Sequence, residues 1–114
     1  METGMRRLSP DEREALLIDL LLSLQQGKLT EGGLLRRLRK DILGMNQDEY
    51  AALVKVSRRT LSDIERDSGS RSLQVLDRVF RPLGLKMGLM PRSVRVLEKM
   101  LESHARNEVL RQNG

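Results

Sequence analysis

Residues 44–66 carry two helix-start signals so close together that only two short helices and a tight turn fit the stretch. Asn46 is the first signal. With Glu49 three residues on it makes a capping box, in which each side chain satisfies a free N–H of the other's backbone. Ser57 is the second, a hydroxyl placed to accept from the opening turn of the next helix. Tyr50, Ala51, Leu53 and Val54 supply the apolar side of the first helix, and Leu61 and Ile64 face inward from the second. A turn this short forces the two helices to cross sharply.

The rest of the chain reads as helices around that pair. One Tyr, one Phe and no Trp leave the core to Leu, Val, Ile and Met, and the frequency of leucine predicts an all-α class. At 114 residues there is room for one compact domain with appendages. Ser9-Pro10-Asp11-Glu12 starts a helix that runs to about Gln26. Leu16, Leu17, Leu20, Leu21 and Leu24 share one face of it, and Ile18 and Leu22 widen that face toward contact on two sides. Thr30-Glu31 begins the next helix, with Leu34, Leu35, Leu38 and Ile42 as its buried stripe. Arg36, Arg37, Arg39 and Lys40 fall around the remainder and read as solvated surface with at most one phosphate contact. Gly44 ends it in a left-handed cap. Residues 67–71 are a loop. Ser72 caps a further helix with Leu73, Leu76, Val79, Phe80 and Leu83 apolar, and Pro82 limits its extension.

Leu85, Met87 and Leu89 then alternate with period two, the one strand-like segment. A lone strand needs a partner, and the chain offers no second strand, so the expected partner is another copy. Residues 93–111 return to helical spacing. The expected organisation is a helical extension at 1–29, a unit at 30–84 that holds the crossed pair, a dimerisation strand at 85–91 and a helical tail at 92–114.

Several chemistries drop out. The absence of cysteine removes disulfides, thiolate metal sites and cysteine nucleophiles. The single histidine, His104, has no companion ligands or triad partners, so neither a catalytic nor a metal site is expected, and no cofactor. The longest apolar run, Ala15 to Leu24, is broken by Asp19 and Ser23 and too short for a bilayer. With no signal-peptide pattern at the N-terminus, the expectation is a soluble cytoplasmic protein. The charge is unevenly spread: +6 over residues 28–92, −2 before them and +1 after. The excess sits in the segment, residues 28–92, that holds the two-helix motif, where it favours a polyanion. Arg58 and Arg59 open the second helix, a width and chemistry that suit the DNA major groove.

Residues 34–84 resemble the five-helix DNA-binding domains of the lambda repressor/Cro class, the Xre-type helix-turn-helix proteins. The resemblance rests on Gln47, Ala51, Val56, Ser57, Thr60, Leu61, Ser62, Ile64 and Glu65, all in register with that signature. It implies that Gln47 contacts phosphate, and that Ser57 caps the recognition helix and touches phosphate. It implies that Arg58, Arg59, Ser62 and Asp63 occupy the base-reading face beside Thr60, and that Arg66 and Arg71 clamp phosphates around the following loop. Two positions depart from the pattern. Lys55 stands where the turn usually has glycine. Lys40 holds the spacing of the arginine that normally pairs with the motif glutamate, whereas Arg39 would fit only with one extra residue at the helix end. The partner of Glu65 is thus left open.

Residues 80–89 are similar to the end of the antitoxin subunit of HipA/HipB-type toxin–antitoxin systems. That resemblance implies a homodimer joined through Leu85, Met87 and Leu89, repression at a palindromic operator, and a kinase-like toxin as partner. A free-standing phage-like regulator and a protein-interaction module are the alternatives.

Overall fold

The computed structural model describes residues 8–113. Six α-helices follow in order: α1 (Pro10–Gln25), α2 (Glu31–Arg37), α3 (Gln47–Val54), α4 (Arg58–Glu65), α5 (Leu73–Phe80) and α6 (Val94–Asn113). Helix α2 runs on into a π-helical stretch, Leu38–Leu43, and α5 into one 3-10 turn, Arg81–Leu83. Residues 1–7, the start of the expected N-terminal extension, and Gly114, the end of the expected tail, lie outside the described residues.

Each start signal sits where the sequence puts it. The side chains of Ser9, Thr30, Asn46, Ser57 and Ser72 accept from backbone N–H groups at the N-termini of α1 to α5. Asn46 and Glu49 exchange bonds of 2.8 and 2.9 Å. Gly27 and Gly44 take positive φ just past the helices they end, and Gly84 does so after the 3-10 turn.

The core gathers Leu20 from α1, Leu34, Leu35 and Leu38 from the second helix, Tyr50, Ala51 and Val54 from α3, Leu61 and Ile64 from α4, and Val79 and Phe80 from α5. Tyr50 is fully enclosed and donates its hydroxyl to the Val79 carbonyl at 2.5 Å. Burial, with Glu65 nearby, raises its pKa from 10.0 to about 12.

Several apolar positions are not where periodicity put them. Leu53 and Leu73 are exposed, and so are Ile18 and Leu22, which gain no second covering contact among the described residues. A helix of eight residues has little more than two turns, so an apolar residue can fall off the buried stripe without disturbing it. Of the α6 side chains described, Leu97 alone is buried.

No strand occurs among the described residues, and residues 85–91 carry no ladder. A single chain supplies no edge for them to pair with. They are nevertheless tethered. The Leu85 N–H donates to the Phe80 carbonyl at 3.3 Å. The Met87 N–H donates to Asp77 at 3.2 Å, and Arg81 holds the same carboxylate at 2.8 Å. The Arg81 bond, then the Met87 N–H, keep the Asp77 carboxyl below the usual range. Leu85 and Met87 pack partly against the core, whereas Leu89 projects fully into solvent.

Candidate nucleic-acid interface

The exposed tip of α4 is built by its cap and by its predecessor. Ser57 Oγ accepts the Thr60 N–H at 3.0 Å, and the Ser57 hydroxyl donates to Thr60 Oγ1 at 2.9 Å. The chain thus turns into helix with Arg58 and Arg59 as its first two residues, both exposed. Behind them Leu61 is fully buried and Ile64 nearly so. Ala51 is buried in α3, the helix that packs against α4.

Lys55, in the turn between α3 and α4, is left-handed, with φ 61° and ψ 46°. The turn geometry is therefore the one that glycine serves best, held here by a lysine at a steric cost.

A buried ion pair locks this motif to the helix before it. Arg39 and Glu65 are 5% and 8% exposed. The guanidinium grips the carboxylate through Nε at 2.6 Å and Nη2 at 2.9 Å, and its Nη1 donates to the Met45 carbonyl at 2.7 Å. Gln47 Nε2 completes the set, donating to Glu65 at 3.0 Å. The partner left open in the sequence is thus Arg39, and the reading of Arg39 as solvated surface is overturned. The extra residue it requires is accommodated by the π-helical stretch Leu38–Leu43, whose wider turn carries one more residue per hydrogen-bonded ring than an α-turn. The same turn leaves Lys40 exposed.

The expected site residues divide into two places. Gln47, Arg58, Ser62 and Arg66 line one groove of about 470 Å³, together with Arg36 and Lys40. Gln47 is half-buried, its amide oriented by Glu65. Arg58 lies 3.6 Å from Asp48 across the mouth, both well exposed. Arg59 stands exposed on the neighbouring face of α4, and Thr60 is half-buried and engaged by Ser57. Asp63 holds Arg66 at 2.6 Å and Arg71 at 3.4 Å. Its carboxylate is committed to organising two arginines, which removes the conflict of a free acid beside phosphate. Arg71 lies elsewhere, on a second cavity with Asp67, Gly69 and Phe80, its Nη1 donating to the Ser70 carbonyl at 2.8 Å.

Two residues that position the site gave little sign of themselves in the sequence. Asp67 is left-handed at φ 57° and reaches back to the start of α2, accepting from the Thr30 hydroxyl at 2.6 Å and the Gly32 N–H at 2.9 Å. Gly32 has no side chain because none fits: a Cβ there would collide with the carbonyl oxygens of Ile64 and Glu65. These contacts join the end of α4 to the start of α2.

Residues 35–89 match the helix-turn-helix family model. That stretch of the chain is similar to the helix-turn-helix family. The match runs from Leu35 in the second helix through the crossed pair α3 and α4, α5 and most of the segment after it. Comparison with curated proteins gave no match, and comparison with solved structures gave none. The likeness suggests a DNA-binding transcription regulator. No helix among the described residues is long and apolar enough to cross a membrane.

Proposed function

We propose that this protein is a sequence-specific transcriptional repressor that binds a palindromic operator as a homodimer. The observation that carries the reading is the pair Arg58 and Arg59, exposed at the capped start of α4 while Leu61, Ile64 and Glu65 fix that helix from behind. An arginine so placed can meet guanine O6 and N7 with two hydrogen bonds, worth roughly 1–3 kcal/mol against the wrong base. Ser62 extends the reading face. Ser57, Gln47, Arg66 and Arg71 contact phosphate, and Asp63 sets the two arginines. Two copies related by a two-fold axis would put their α4 helices one DNA turn apart, roughly 34 Å.

Within this class we favour the antitoxin subunit of a toxin–antitoxin operon with a kinase-like toxin. The support is the likeness of residues 80–89 to such antitoxins, together with the exposed apolar residues Leu89, Met90, Val96 and Met100 beyond the domain. In this reading residues 85–91 pair across the dimer, and the N-terminal helix and C-terminal tail serve the dimer or the toxin.

Selecting duplexes from a random-sequence pool tests the DNA-binding part. A motif of two inverted halves supports it, and recovery of no sequence preference removes it. Co-expression with a kinase-like reading frame adjacent to the gene tests the rest. A stable complex supports the antitoxin role, and a neighbourhood without such a frame leaves a free-standing regulator.

A further inference from the structure

The groove beside α4 holds more positive charge than the recognition helix brings to it. Five cations line it, Arg36, Arg39, Lys40, Arg58 and Arg66, against two acids, Asp48 and Glu65. Most of this charge is already engaged. Arg39 is buried on Glu65, Arg66 is held by Asp63, and Arg58 faces Asp48. Arg36 and Lys40 are different: both are exposed, and neither side chain makes an ion pair or hydrogen bond among the described residues. They stand four residues apart, one on α2 and one on the π-helical stretch, and both line the groove. Their neighbour Arg37 makes the contrast. It is tied to Asp41 at 2.8 Å and does not line the groove.

We propose that Arg36 and Lys40 form a phosphate clamp for the same DNA duplex, gripping the sugar–phosphate backbone on the side of the groove away from α4. The inference rests on the DNA-binding reading above and extends it to a helix outside the crossed pair. Two free cations on one wall, with polar Gln47 and Ser62 on the other, suit an anionic chain running along the groove. The clamp reads no bases. It fixes how deeply and at what angle α4 sits in the major groove.

The test compares the full-length protein with the double variant Arg36→Gln/Lys40→Gln and with Arg37→Gln. The probes are a duplex selected from a random pool by the wild-type protein and a scrambled duplex of equal length. Each is titrated over a range of salt concentrations. For the double variant the slope of log affinity against log salt should fall by about 2, since each phosphate released from a cation removes roughly 0.9. Affinity should drop at least tenfold at low salt, equally on both duplexes, so that discrimination between them is kept. Arg37→Gln should leave the slope unchanged. An unchanged slope in the double variant overturns the clamp, as does an equal fall in Arg37→Gln, which would reduce the effect to net charge. A random pool from which wild-type protein selects no duplex overturns the clamp and the DNA-binding reading together, an outcome distinct from the other two.

Discussion

At the residue scale the motif is held by one buried charge pair and one buried phenol. Arg39 and Glu65 are useful to each other only together. Removing one leaves the other charge enclosed with no counterion, and breaking such a pair costs about 3–5 kcal/mol. Arg39→Ala should therefore lower the urea midpoint sharply, and a loss under about 1 kcal/mol would show that the pair contributes little. Tyr50 offers a separate test because it is the only tyrosine, so tyrosinate absorbance reports it alone. Its folded pKa of about 12 lies above the unfolded value of 10.0. The neutral phenol is the form the fold accepts. Its contribution is whole below pH 10 and disappears as pH rises from 10 toward 12, for a total of roughly 2–3 kcal/mol. Alkaline titration should show unfolding coincident with tyrosinate formation. Ionisation near pH 10 in a chain that stays folded would contradict the enclosure of Tyr50.

At the scale of elements, the turn between α3 and α4 carries a measurable defect. Lys55→Gly should stabilise the protein by roughly 0.5–1 kcal/mol, because glycine enters the left-handed region without the Cβ clash, though it gives back some of that in chain entropy. Thermal unfolding checks the sign, and a lower midpoint would mean that the lysine side chain contributes packing. This turn also shows what the sequence makes legible. Caps are local chemistry, so Ser9, Thr30, Asn46, Ser57 and Ser72 could be read one by one, and the elements follow from them. The π-helical stretch could not be read this way. Its one trace was the mismatch by which Arg39, and not the correctly spaced Lys40, meets Glu65, a consequence of tertiary pairing over 26 residues. Asp67 and Gly32 were hidden for the same reason, since their partners lie 35 and more residues away. Leu53 and Leu73 were misplaced because a period read over two turns does not fix which edge of the stripe is buried.

At the scale of the whole molecule, the homodimer we propose would be joined through residues 85–91. Leu85 and Met87 turn partly inward while Leu89 and Met90 stand out, so the segment shows one side to its own core and the other to solvent. Deleting residues 85–90 should shift sedimentation from dimer to monomer at micromolar concentration, and a variant that stays dimeric would move the interface to α1 or α6. Exposed Ile18 and Leu22 on α1, and Met100 and Leu101 on α6, are where it would be sought next.

We propose that the guanidinium groups opening α4 read base edges. Binding of wild-type protein and Arg59→Ala to a selected operator, and to single-base variants of it, tests this most directly. The substitution should cost about 1–3 kcal/mol on the operator and flatten preference at one position in each half-site, with the fold intact. Unaltered preference at every position would contradict it.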